Sequence, residues 1–241
     1  MKLISLFLLV LFLNPLKLFA KTDLYIRSAM EASYMVLVPR VGSGSGVAVY
    51  QNENGSLIMT NDHVCQLTRG ITMLSHETDK SKPINTLPIQ VMNSRGDIFK
   101  AVVVKTSNLE RLKKGTQGSD LCIVEIKERV PTLEIDSSDQ EIGSKVFNVS
   151  APLGIFPVIF DGFLGPVESR RGGNMKSIQV VTLAINHGSS GSGVFSYENG
   201  KVVGIAFAII SADEGTNATV VALMVPGNQA KDFLNSYLEK K

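Results

Sequence analysis

Short apolar or alternating runs, each closed by Gly, Asn, Asp or Pro, recur along most of this chain. Residues 33–38, 46–50, 56–60, 71–74, 87–92, 98–105 and 121–127 read as strands. A second series follows at 145–150, 158–168, 177–185, 193–197, 201–210 and 219–225. That is roughly six strands on each side of a polar link near 131–143, and closing each set into an antiparallel barrel leaves no strand edge unpaired. Glu198-Asn199-Gly200 between two apolar runs predicts a hairpin. The pattern changes at the end, where Ala230, Phe233, Leu234, Tyr237 and Leu238 recur at helical spacing after Pro226, a residue suited to a first helical position. The expected class is all-β: a six-stranded N-terminal barrel over 21–130, a second over 131–225, and a helix over 226–241 laid on the second barrel.

The first twenty residues stand apart from this pattern. Met1-Lys2 gives a basic start, Leu3 to Leu13 is apolar except for Ser5, and Leu18-Phe19-Ala20 ends in the small residue a signal peptidase needs. Such a core is too short to cross about 30 Å of hydrocarbon, and Lys17 interrupts any extension. A cleaved signal peptide over 1–20 and an exported mature chain are therefore expected. Lys2 and Lys17 leave with it, which brings Lys plus Arg from 24 to 22, level with the 22 acids. A neutral surface argues against nucleic acid as a partner. With 44% hydrophobic and 19% charged residues, the chain has the composition of a packed domain.

Three short segments carry the candidate chemistry. Thr60-Asn61-Asp62-His63-Val64 follows an apolar strand, Ser119-Asp120-Leu121-Cys122 places an acid at the mouth of a buried strand, and Asn186-His187-Gly188-Ser189-Ser190-Gly191-Ser192-Gly193 is a glycine-rich turn. Acyl transfer needs a nucleophile, a base for its proton, and an acid to orient the base. Ser190, His63 and Asp120 supply these types, and the N–H groups of Gly188 and Ser190 would make an oxyanion hole. The order His, Asp, Ser differs from the Ser, acid, His order of α/β-hydrolases. No serine has glycine both two before and two after it, so that fold's nucleophile elbow is absent.

These segments resemble the protease domain of the HtrA branch of trypsin-like serine peptidases, over about Val41 to Tyr237. Gly42-Ser43-Gly44-Ser45-Gly46-Val47 is similar to that family's glycine-rich entry to its second strand. The stretch 96–101 followed by Ser119-Asp120-Leu121, the segments Asp139-Gln140-Glu141-Ile142-Gly143 and Ala151-Pro152-Leu153-Gly154, and Pro226-Gly227-Asn228 fall in the family's order. The resemblance implies two trypsin-like barrels and a triad of His63, Asp120 and Ser190. It also implies a primary pocket lined by Ala184, Ala206, Phe207 and Ala208. His187 stands where the family usually has proline, Ser192 replaces a second glycine, the loop 106–119 is longer, and no PDZ module is expected after the helix.

Two other readings stay open: a degenerate homologue that binds peptides or partners without cutting, and an exported structural β-protein whose Gly-Ser turns are coincidental. No paired acids mark a glycosidase or an aspartic protease, and three histidines make no metal site, so no cofactor is expected. Cys65 and Cys122 each lie two residues after a triad member, which allows a disulfide or two small buried neighbours. The pocket stretches hold no acid to attract Arg or Lys and no histidine to receive Glu. Cleavage after small or medium apolar residues is expected in a peptide-library profile, and a profile dominated by charged residues before the cut overturns this.

Overall fold

The computed structural model describes residues 21–69, 87–107, 119–168, 178–211 and 219–240. The leader 1–20, the expected strand 71–74, His76, and the basic cluster of Arg111, Lys113 and Lys114 lie outside the described residues. The chain opens with a helix over residues 21–32, α1. The first barrel follows: β1 (Ser33–Val38), β2 (Gly42–Asn52), β3 (Gly55–Thr60), the short helix α2 (Asp62–Gln66), β4 (Ile89–Met92), β5 (Ile98–Thr106) and β6 (Cys122–Ile126). The second holds β7 (Lys145–Ser150), β8 (Val158–Glu168), β9 (Ile178–Val181), β10 (Gly193–Ser196), β11 (Val202–Ser211) and β12 (Thr219–Pro226), and α3 (Gly227–Leu238) closes the chain. Both barrels are closed, and both follow one strand order, β1-β2-β3-β6-β5-β4 and β7-β8-β9-β12-β11-β10 around their rings.

Strands β1, β3, β6, β7 and β10 read as near-continuous apolar runs because both of their faces are buried, whereas β5 and β8 alternate and leave Val102 and Phe163 exposed. In β3, Ile58 points into the first barrel while Leu57 and Met59 point out of it, into a second core. Val47 and Val49 of β2 and Leu121 and Ile123 at β6 do the same. This second core is shared: the other barrel contributes Phe147, Val149, Phe195, Val202 and Ile205 to it. Phe147 and Phe195 stack there with ring centroids 5.2 Å apart. The link pins both barrels, since the Leu133 N–H donates to the Ala48 carbonyl of β2 and the Asp136 N–H to the Val202 carbonyl of β11.

Three features differ from the sequence expectation. Helix α1 was not foreseen, yet Tyr25, Ala29 and Ala32 repeat at helical spacing, and both alanines are fully buried in the shared core. Strand β2 starts at Gly42 instead of residue 46, because β1 offers backbone partners along the glycine-rich stretch, with Gly44 opposite Val36. Helix α3 lies on the shared core as well as on the second barrel: Ala230, Phe233 and Leu234 join that core, and Lys105 of β5 donates to the Phe233 carbonyl at 3.1 Å. Its ammonium also sits 4.6 Å from the centre of the Phe233 ring. Pro226 caps this helix from the extended region and does not enter it.

Phe233 thus ties the C-terminal helix to both barrels. Phe233→Ala is expected to lower stability by about 3 kcal/mol, the usual cost of truncating a buried aromatic. Asp232→Ala, at an exposed neighbour, should change it by less than about 0.5 kcal/mol. Denaturant midpoints of the two variants check the pair.

Candidate active site

His63 and Asp120 are brought together by the first barrel. Strand β3 ends at Thr60 and Asn61 turns the chain into α2 from an extended conformation, without capping the helix through its own side chain. The first N–H groups of a helix lack partners within it. Asp120 supplies one: its Oδ1 accepts from the His63 N–H at 3.1 Å, while its Oδ2 lies 2.8 Å from His63 Nδ1. One carboxylate therefore fixes both the backbone and the ring of the histidine. A ring that donates through Nδ1 keeps the lone pair of Nε2 free to accept a proton. Nε2 is shielded from solvent and has no hydrogen-bond partner among the described residues, so no bond joins it to Ser190 Oγ.

Asp120 is itself held. Its φ of 48° lies in the left-handed region, where Asp is among the residues best tolerated. Asn61 Nδ2 donates to its carbonyl at 2.9 Å. Two residues on, Cys122 forms a disulfide with Cys65 of α2, with Cα atoms 6.5 Å apart. The bridge ties the segment carrying the histidine to the strand that comes after the aspartate.

The Ser190 turn belongs to the second barrel, between β9 and β10, and is seated on the first. The Ser45 N–H of β2 donates to the Ser190 carbonyl at 2.7 Å. Gly191 lies so close to the end of β3 that an added Cβ would fall 2.2 Å from Thr60 Oγ1 and 2.3 Å from the Ser45 carbonyl, and its φ is +90°. Only glycine fits there. Each carbonyl from His187 to Ser190 is held: His187 by the Leu153 N–H (2.7 Å) and Ser190 by Ser45, Gly188 by Ser45 Oγ (2.7 Å), and Ser189 by Ser192 Oγ (2.7 Å). In a trans peptide the N–H points opposite to the preceding C=O. Clamping the His187 and Ser189 carbonyls therefore aims the N–H groups of Gly188 and Ser190 the other way. Neither N–H has a partner among the described residues.

The residues expected to line the pocket are placed unequally. Ala184 is exposed and Phe207 and Ala208 are half-buried. Ala206 is fully buried in the core of the second barrel. Its backbone braces the turn, accepting from the Gly191 N–H at 2.8 Å and donating to the Ser192 carbonyl at 3.0 Å. The sequence reading gave no role to Ser45, Asn61, Asn148 or Leu153. The signal for Ser45 was present in the alternating Gly-Ser entry, since a buried serine between glycines points to a close polar approach. No pattern signals Leu153, which acts through its backbone. Among the described residues no group of His, Cys, Asp and Glu has the arrangement to hold a metal, and no helix is long and apolar enough to cross a membrane.

The trypsin-like peptidase domain family matches residues 44–205, well over half of the chain, and the chain belongs to it. Two solved structures share the fold. The serine endoprotease from Yersinia pestis matches with a TM-score of 0.65 at 20% identity, over 90% of this chain and 66% of that one. The inactive form of Rv3671c from M. tuberculosis H37Rv, a serine-to-alanine mutant, matches with a TM-score of 0.63 at 14% identity, over 90% and 91%. This chain thus spans just under two thirds of the Yersinia pestis chain. No curated protein matches it by sequence.

Asp62, between Asn61 and His63, is an unusual neighbour for this pair. Burial, followed by the charge of Asp120, pushes its carboxyl up to about 6, against the hydrogen bond from Gln66 Nε2, which favours the anion. Its Oδ1 is buried without a partner among the described residues. The folded chain keeps this proton up to about pH 6, whereas an unfolded chain releases it near 4, so the group lowers stability as pH rises from about 4 to 6. Asp62→Asn keeps an acceptor for Gln66 and removes the charge. It is expected to stabilise the protein by about 2 kcal/mol at pH 8 and by nothing measurable below pH 4, read from urea midpoints at the two pH values.

Proposed function

We propose that this chain is an exported serine endopeptidase that cuts peptide bonds through an acyl-enzyme, with His63, Asp120 and Ser190 as its triad. The observation that carries the reading is the pairing of two preparations: an imidazole oriented by a carboxylate with its Nε2 free, and a serine turn whose Gly188 and Ser190 N–H groups are both aimed and free. Ser190 Oγ attacks the scissile carbonyl and passes its proton to His63 Nε2. The oxygen of the tetrahedral intermediate becomes negative between the N–H groups of Gly188 and Ser190. His63 then returns the proton to the leaving amine, and water repeats the sequence on the ester to release the acid. Asp120 holds the Nδ1 tautomer throughout and stabilises the imidazolium. A free chain in which Nε2 does not yet bond Ser190 Oγ fits this reading, since catalytic hydrogen bonds often tighten only when substrate is bound.

The substrates in this reading are proteins or peptides cut after small or medium apolar residues, with the stretches of Ala184 and of Ala206, Phe207 and Ala208 at the primary pocket. Export is supported by the leader-like residues 1–20 and by the Cys65–Cys122 disulfide, which persists in oxidising compartments. Ser190→Ala is expected to cut kcat by several powers of ten and abolish labelling by a fluorophosphonate probe, with the thermal transition unchanged. Wild-type rates in that variant overturn the assignment. A wild-type protein that neither labels nor cuts, yet binds peptides, identifies a degenerate homologue.

A further inference from the structure

We propose that Ser45, on the first barrel, is a positioning residue for the oxyanion hole on the second, an inference that rests on the serine-peptidase reading above. Ser45 is fully buried. Its N–H donates to the Ser190 carbonyl and its own carbonyl accepts from Thr60 Oγ1, both at 2.7 Å. Those bonds use its backbone, and other residue types can make them. The hydroxyl makes the rest: it donates to the Gly188 carbonyl at 2.7 Å and accepts from the Ala151 N–H at 2.9 Å.

The significance lies in Gly188. A glycine places little restriction on its own backbone, so the two peptide planes that flank it must be fixed from outside. The plane before it carries the Gly188 N–H and is held through the His187 carbonyl by Leu153. The plane after it is held on both sides, by the Ser189 N–H donating to the Asn186 carbonyl at 2.9 Å and through the Gly188 carbonyl by Ser45 Oγ. The same hydroxyl anchors Ala151, and Ala151 leads directly into the 3-10 turn Pro152–Gly154 that carries Leu153. One hydroxyl thus joins both clamps, and it reaches them from the barrel that carries His63. The close seat requires a glycine beside it: a Cβ on Gly44 would fall 3.0 Å from the Ser190 carbonyl and 2.6 Å from Val64 Cγ2. Removing the hydroxyl leaves the Gly188 carbonyl and the Ala151 N–H without that partner; Ala151 then holds Leu153 less firmly, and the plane that carries the Gly188 N–H can turn it away from the developing oxyanion.

The test compares transition-state with ground-state binding in purified wild type and Ser45→Ala. A peptidyl boronic acid forms a tetrahedral adduct with an oxygen in the oxyanion hole, whereas a product-like peptide acid of the same sequence reports ordinary binding. Ser45→Ala is expected to lose at least about tenfold in kcat and in boronate affinity, with KM and peptide-acid affinity within about threefold. A merely structural role would weaken both inhibitors together. Equal losses for the two inhibitors, or no loss for either, overturn the proposal. Should Ser45→Ala fail to fold, Ser45→Cys, which keeps the shape and weakens the hydrogen bond, is judged by the same comparison. Wild-type activity that depends on Ser190, with an unchanged inhibitor ratio in the Ser45 variant, sinks this inference alone. Absence of Ser190-dependent activity sinks the peptidase reading as well.

Discussion

The seat of the Ser190 turn on β2 is the constraint on which the rest of the site depends. Neither barrel holds the proposed triad alone: His63 and Asp120 come from the first, and Ser190 with the free N–H groups of Gly188 and Ser190 from the second. The shared core supplies the attraction, with Phe147 and Phe195 facing Val47, Leu57 and Ile123 across the seam. Burial of apolar surface is strong but has no direction, so it brings the barrels together without fixing how they sit to a fraction of an ångström. Directional bonds do that. The Ser45 N–H to the Ser190 carbonyl, and the Gly191 backbone lying on Thr60 and Ser45, set the register between Ser190 and the barrel that carries His63.

The first barrel must in turn hold its own half rigidly. The loop before Asp120 falls largely outside the described residues, and the support visible for the aspartate lies on its C-terminal side and in the groups that face it. Buried Leu121, the Cys65–Cys122 bridge, the Asn61 amide and the His63 N–H together set its position. The bridge closes a span of 57 residues, and cross-links over such spans act mainly by restricting the unfolded chain. Its placement adds a local effect, since each bridged residue lies two positions after the paired base or acid.

The barrels were legible because several strands, such as β3 and β7, are buried on both faces and others alternate, and repeated short apolar runs between turn residues suit little else. Helix α1 was hidden by that same logic. Its fully buried residues are Ala29 and Ala32, which add little to any hydrophobic pattern, and Tyr25, Ile26 and Met30, which pack on the same core, are spread over a stretch of only 12 residues among charged neighbours. The three chemical segments were readable because acyl transfer demands particular residue types in a particular order. Their bracing was not. Leu153 and Ala206 act through backbone atoms, which any residue possesses, and Asn61, Asn148 and Ser45 acquire their meaning only from partners far away in sequence.

The bracing of the Ser190 turn is made almost wholly of neutral groups. Asn148 donates to Ser192 Oγ and to the Gly193 carbonyl, Ser192 Oγ donates to the Ser189 carbonyl, and Ser150 Oγ donates to Ser189 Oγ. Asn148, Ser150, Ser189 and Ser192 are all buried, and none of them changes charge with pH. Asn148 Oδ1 is buried without a partner among the described residues, and the other side-chain groups of this set are paired; a connected set of hydroxyls and amides holds a backbone in one conformation without the desolvation cost of an ion pair. Among the described residues, the titratable groups of the candidate site other than the exposed His187, namely His63, Asp120 and Asp62, sit on the first barrel. The division suits the reaction proposed for the site. There the base would change charge during turnover and need charged neighbours to do so, whereas the oxyanion donors would have to stay fixed while charge develops in front of them.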